Sequence, residues 1–198
     1  MIVSRGAEAV LRKENNTLIK ERIRKGYRLE KIDTPLRRKR TRNEATLIRE
    51  ARRAGINVPK ILEEEDYVIK MEFINGKRVK EALSEGNYKE ICTKIAEFIA
   101  RLHESDIIHG DLTTSNMLLP GSEIYFIDFG LGFRSKRTED KAMDLFLLHE
   151  ALESTHFALL NKAWNIILKV YAKNYGEATA VMDALQKIEK RRRYTRKD

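Results

Sequence analysis

The segment "HGDLTTSNMLLPGSEIYFIDFG", His109 to Gly130, sets three oxygen-bearing side chains, Asp111, Asn116 and Asp128, around two short apolar runs joined by a Pro-Gly turn. Asp111 and Asn116 stand five residues apart in a loop after a helical run, and Asp128 follows the apolar strand "IYFI" twelve residues later. Hard oxygens in that arrangement suit Mg²⁺, which takes a few carboxylate or amide ligands and fills its remaining positions with water and phosphate. A nucleoside triphosphate would complete such a site. If Asn116 and Asp128 serve the metal, Asp111 is left to orient a hydroxyl or water for in-line attack. The phosphates then need a cation from the opposite side. Lys20, ending the strand "TLIK", is the candidate, with Glu44 as the carboxylate that would hold it.

Glu44 lies in "DTPLRRKRTRNEATLIREARRAG", which reads as a helix with Thr34 as N-cap, Pro35 at the first helical position and Gly55 past the end. Leu47, Ile48 and Ala51 follow Glu44 by three, four and seven residues, so the carboxylate shares the inward stripe. A glutamate there either snorkels and pairs with a local arginine, or meets a cation from another element.

Around these residues the chain divides by pattern. Short apolar segments at 1–4, 8–12 and 17–21 suggest an antiparallel meander, and 60–74 reads as a hairpin in which Tyr67, Ile69, Met71 and Phe73 share one face. Residues 87–105 carry Ile91, Ile95, Phe98, Ile99 and Leu102 at helical spacing; the single cysteine, Cys92, falls in this run and reads as a packing residue. "NMLLP" and "EIYFID" form a second hairpin. Helical patterns then cover 139–153, 157–174 and 177–191. The expected fold class is α+β: a strand-rich N-terminal lobe with one helix over 1–74, a helical C-terminal lobe bearing the catalytic and metal loops over 75–186, and a basic tail over 187–198.

A chain of 198 residues can form one domain or two small lobes, but not two large domains. No apolar run approaches the roughly 18 residues of a membrane span, and "MIVSRGAEAV" lacks a secretory h-region, so no membrane association and a cytoplasmic location are expected. The net charge of +9 is localised: residues 20–53 hold 14 Lys/Arg against 5 Asp/Glu, and 187–198 hold 7 against 2. Such concentration points to a polyanion, although a solvated face rich in ion pairs would have the same composition.

HGDLxxxN followed by DFG, with an upstream strand lysine and helix glutamate, resembles the protein-kinase-like superfamily. More narrowly, "SRGAEA", "IKERIRKGYR", "HGDLTTSN", "IDFGLG" and "EDKAMDL" resemble the small atypical serine/threonine kinase of the KEOPS complex, the PRPK-like family, in its stand-alone archaeal form. The resemblance implies a bilobal kinase-like fold using ATP and Mg²⁺, in which Lys20 is the phosphate lysine, Glu44 its partner, Asp111 the catalytic base, and Asn116 and Asp128 the metal ligands. It implies a place beside the threonylcarbamoyl transferase and other KEOPS subunits in tRNA modification, acting largely as an ATPase. The basic regions 37–42 and 190–197 are then the expected tRNA contacts. Within that frame Ser4 and Gly6 belong to the loop over the phosphates, and Glu72 and Ile74 of "MEFINGKRV" present backbone groups to adenine, Gly76 permitting the turn that follows.

Departures from the ordinary kinase pattern narrow the expectation. The phosphate loop has one glycine, Gly6; Gly110 and Thr113 replace the usual arginine and lysine of the catalytic loop; and the short stretch from Gly130 to Asp144 leaves little material to dock a peptide. Two other classes stay open. A small-molecule phosphotransferase of the aminoglycoside or choline type also uses HGDxxxxN, and a non-catalytic RNA-binding adapter would explain the basic regions alone.

Overall fold

The computed structural model describes residues 1–6 and 8–195. Strands β1 (Ile2–Arg5), β2 (Ala9–Glu14) and β3 (Thr17–Arg22) form the meander, helix α1 covers Glu30–Arg53, and β4 (Ile61–Glu64) and β5 (Val68–Glu72) complete an antiparallel sheet of order β1-β2-β3-β5-β4. Asn15 takes φ +52 in the two-residue turn between β2 and β3, a left-handed conformation that asparagine tolerates better than most residues. Register places Lys20 in the middle of the sheet, opposite Leu11 on one side and Ile69 on the other.

Helix α1 meets the sheet through buried Ala45, which packs with Ile69 and Met71, while its buried Leu47, Ile48 and Ala51 join the larger core. It begins a turn before the expected N-cap at Thr34, and Pro35 lies inside the helix. Tertiary contacts hold that extra turn. The carboxylate of buried Asp33 accepts from Arg37 Nε at 2.6 Å, and the Arg37 guanidinium lies 4.0 Å over the Tyr67 ring while donating to the Arg22 carbonyl. A proline in a helix interior forfeits one backbone bond, and here a buried ion pair and a cation–π contact offset it.

Beyond β5 come β6 (Lys77–Arg78), α2 (Val79–Ala82), α3 (Tyr88–Glu104), β7 (Ile107–Ile108), β8 (Met117–Leu119), β9 (Tyr125–Phe126), β10 (Phe133–Arg134), α4 (Thr138–Thr155), α5 (Leu160–Asn174) and α6 (Ala178–Thr195). The hairpin expected from "NMLLP" and "EIYFID" is β8–β9, whereas the two-residue strands β6, β7 and β10 were not expected from the sequence: β6 pairs with β8, and β7 with β10. The larger core lies among α3, α4, α5 and the β8–β9 hairpin, with Phe126 meeting Phe98 edge-on at 5.8 Å and Tyr171 fully buried. Cys92 is buried in it, and burial pushes its thiol up to about 12, as suits a packing residue. Gly76 is needed for closeness rather than for a positive φ: a Cβ there would lie 2.7 Å from the Pro120 nitrogen. The expected tail is helical as far as the structure describes it, since α6 continues to Thr195; Arg191 pairs with Glu139, and Arg192 with Glu150, both on α4. Arg196 and Lys197 lie outside the described residues. Among the described residues no helix is long and apolar enough to cross a membrane.

Candidate active site

Strand alternation turns Leu18, Lys20 and Arg22 to one face of the sheet, beneath α1, and Glu21 to the other. Lys20 Nζ donates to Glu44 Oε1 at 2.5 Å and to Asp128 Oδ1 at 2.8 Å. Glu44 is 1% exposed, and its second oxygen, Oε2, accepts from Arg22 Nη2 at 2.5 Å. The inward glutamate thus meets two cations from another element rather than an arginine of its own helix. Burial alone would depress the Lys20 ammonium, but Glu44 and Asp128 outweigh it and hold its pKa above the ordinary lysine value. Burial likewise works to raise Asp128, and the Lys20 charge more than offsets it, keeping that carboxyl below its ordinary value.

Asp128 reaches this position from a left-handed turn, φ +64, directly after the β9 segment. Its loop is tied to α1, where Asn43 Nδ2 donates to the Gly132 carbonyl at 2.8 Å. On the other wall, Asn116 Nδ2 donates to both the backbone oxygen and Oδ2 of Asp111, at 2.9 and 2.8 Å. With its NH₂ group spent on Asp111, Asn116 has its amide oxygen left for a cation. Together with the Asp128 carboxylate this is a donor set of hard oxygens that fits Mg²⁺.

The loop carrying Asp111 is held from below by a residue that the sequence reading did not single out. Asp144 on α4, 1% exposed, accepts from the His109 N–H at 2.6 Å and the Gly110 N–H at 2.8 Å. Glycine is required at 110 on two counts: φ is +77, and a Cβ would fall 2.3 Å from the Leu131 carbonyl oxygen. His109 accepts from the Asp111 N–H at Nδ1 and bonds the Ile127 carbonyl through Nε2, a pattern that the neutral Nε2–H tautomer satisfies; burial accordingly lowers its pKa. Its ring packs 4.6 Å from Phe129, which makes it a support of the loop.

A cavity of about 370 Å³ opens between these walls, lined by Ser4, Gly6, Lys20, Asp111, Asn116 and Asp128 among others. It adjoins a second cavity of about 710 Å³, lined by Leu18, Met71, Glu72 and Ile74, and the two share Leu11 and Arg78. The first is charged and the second largely apolar, the order that a nucleotide's phosphates and base require. Not every expected donor is available. The Gly6 N–H is used by the Ala9 carbonyl at 3.0 Å and the Glu72 N–H by the Lys60 carbonyl at 2.9 Å. Besides Arg78, two arginines to which the sequence reading gave no nucleotide role line the charged cavity: Arg22, and Arg40 on α1, which was expected within 37–42 as a tRNA contact and pairs at 2.5 Å with Glu8 of the β1–β2 loop. Their signal was the spacing, Arg22 two residues after Lys20 on a strand and Arg40 four before Glu44 on a helix.

Comparison with known proteins identifies the family and the fold. The RIO domain family model matches residues 10–146. The KEOPS complex subunit Bud32 of Pyrococcus abyssi is 41% identical over 89% of this chain and 84% of its own length. A probable bifunctional tRNA threonylcarbamoyladenosine biosynthesis protein of Methanosarcina acetivorans is 40% identical over 96% of this chain, which spans only 35% of that relative's length. Among solved structures, the Rio2 kinase in complex with ADP, Mg²⁺ and phosphoaspartate, from Chaetomium thermophilum, superposes with a TM-score of 0.64 at 16% identity, covering 97% of this chain and 70% of that one. At that identity the likeness establishes a kinase-like fold. The chain therefore belongs to the RIO domain family, and within it to the group that includes the KEOPS subunit Bud32.

Proposed function

We propose that this protein is a Mg²⁺-dependent, ATP-using atypical serine/threonine kinase and ATPase that supports threonylcarbamoyl-adenosine modification of tRNA beside a separate transferase subunit. The observation that carries the enzymatic part is that Lys20 reaches Glu44 at 2.5 Å and Asp128 at 2.8 Å, joining three elements, and faces Asp111 and Asn116 across one cavity. The names of the relatives support the tRNA part. Lys20, oriented by Glu44, holds the α and β phosphates, Asn116 and Asp128 hold magnesium, and Asp111 accepts the proton of the attacking hydroxyl or water. Magnesium at those oxygens would supply neutralisation of the charge on the transferred phosphoryl group. Ser4 and Gly6 flank the phosphates, while Glu72 and Ile74 border the base.

The test is to incubate the protein with γ-labelled ATP, alone and with the transferase subunit and tRNA, and to follow the label. Slow release as phosphate or transfer to the protein itself, stimulated by the partners, is the expected result. Efficient phosphorylation of an aminoglycoside or amino alcohol would instead establish a small-molecule phosphotransferase. No turnover in any mixture would leave only an adapter.

A further inference from the structure

Glu44 holds two cations, and the site as described so far uses one of them. Arg22 is 4% exposed, lines the charged cavity with Lys20, and gives only Nη2 to Glu44; its Nε is buried and has no partner. A buried donor without a partner is costly, so a guanidinium in this state, lining a cavity, fits an anion whose oxygens would satisfy it. Geometry sets Arg22 against the metal loop as well: a Cβ built on Gly130 would lie 3.2 Å from Arg22 Nη2 and 3.0 Å from Asp128 Oδ1. The glycine after Asp128 and Phe129 therefore leaves room for the arginine. Its backbone is fixed too, the N–H donating to the Tyr67 carbonyl and the carbonyl accepting from Arg37. An anchored, desolvated guanidinium with unused donors has little entropy to lose on meeting a phosphate.

We propose that Arg22 is a second phosphate-binding cation of this site, held by Glu44 Oε2 as Lys20 is held by Oε1, so that one carboxylate aims two cations at the nucleotide phosphates. The proposal rests on the nucleotide reading above. One charge-assisted hydrogen bond of this kind corresponds to about ten- to a hundredfold in affinity.

The experiment measures calorimetric affinity for Mg²⁺–ATP and for adenosine, which has the base and sugar but no phosphate, with wild type, Arg22→Gln and Arg22→Lys. Arg22→Gln is expected to weaken Mg²⁺–ATP by about ten- to a hundredfold and to leave adenosine within a factor of two. Arg22→Lys should fall between, because a single ammonium reaches either Glu44 or a phosphate but does not span both. Wild-type affinity for Mg²⁺–ATP in Arg22→Gln, or equal losses for adenosine and ATP, would overturn the assignment by making the residue irrelevant or merely structural. Should Arg22→Gln fail to give a cooperative melt, Arg22→Lys decides on the same two ligands, full Mg²⁺–ATP affinity being the adverse result. Wild-type protein that binds adenosine and ATP equally, or binds neither, would sink the nucleotide reading itself, a failure distinct from loss of the Arg22 effect alone.

Discussion

Asp128 pairs with Lys20 and, in the proposed function, is also a metal ligand, two demands that no neighbouring side chain can supply together. Asp128→Ala should therefore reduce ATP turnover on the order of a hundredfold or more, measured as labelled phosphate released. The fold should survive, because the Asp128 side chain is half-exposed and its ion pair is only one of the two that Lys20 makes. Turnover within a factor of two of the parent, in a protein with an unchanged melting curve, would contradict the metal assignment. Lys20 and Glu44 could be paired from the sequence only through the kinase-like pattern, because the helical stripe by itself is equally served by a glutamate that snorkels or pairs with a local arginine. Arg22 carried the same strand signal as Lys20, but its share of Glu44 depends on where α1 crosses the sheet, a distance that no local pattern contains. Asp144 was invisible for a related reason. Its partners are the backbone amides of His109 and Gly110, 35 and 34 residues away.

Helix α1 shows how a correct local signal can be misplaced. Pro after Thr reads as a helix start, yet the helix runs from Glu30 because Asp33, Arg37 and Tyr67 bind its first turn to the sheet. Pro35→Ala should restore the missing backbone bond and raise stability by up to about 3 kcal/mol, read from urea unfolding; destabilisation would mean that the ring makes contacts of its own. Helices α3, α4 and α5 join through a buried histidine. His103 Nδ1 meets the Tyr171 hydroxyl at 2.8 Å, Nε2 lies 3.6 Å from Asp144, and Lys141 and Tyr175 are close by. Burial lowers the His103 pKa against the opposing pull of Asp144, and His109 is shifted the same way. Both are neutral in the folded state and take up protons more readily unfolded, so their contribution is complete above the unfolded value of about 6.5 and is lost as pH falls below it toward the folded pKa. The urea midpoint should drop between about pH 6.5 and 5, before carboxylates such as Asp128 begin to titrate. His103→Gln should flatten part of that drop. A level profile would show that neither ring stays neutral.

Across the whole molecule, charge is arranged more simply than the fold. The basic helix α1 and the end of α6 were legible as charge runs, and the helical pattern over 177–191 already reached into the tail, but no local signal showed that α6 would run on to Thr195 or pack against α4. Arg191 and Arg192 pair with Glu139 and Glu150, so the other four basic residues of 190–197 are counted as the proposed phosphate contacts. Deleting 190–198 should lower the slope of log tRNA affinity against log salt by about 3, at roughly 0.7 to 0.9 per contact, without changing ATP affinity. An unchanged slope with faster basal ATP turnover would make the segment an internal brake. The short strands β6, β7 and β10 were missed because two residues have no periodicity; they exist where chain segments distant in sequence are brought alongside each other by packing.

The contact between Lys20 and Asp128 has a consequence for the order in which ligands arrive. At 2.8 Å the ammonium already occupies the carboxylate that a divalent ion would claim, so the empty protein competes with metal on its own behalf. Free metal must evict a cation that has nowhere better to go, whereas metal escorted by a nucleotide brings the phosphates to which Lys20 can move. Binding of Mn²⁺ followed by electron paramagnetic resonance should be weak without nucleotide and should tighten by about tenfold in Lys20→Met, the equivalent of roughly 1.4 kcal/mol. Equal metal affinity in the two proteins would mean that the lysine yields without resistance. If the gain is seen, the protein without nucleotide would pass over free metal and take up its cation only with the nucleotide, so the lysine proposed to hold the phosphates would also be what keeps the site idle.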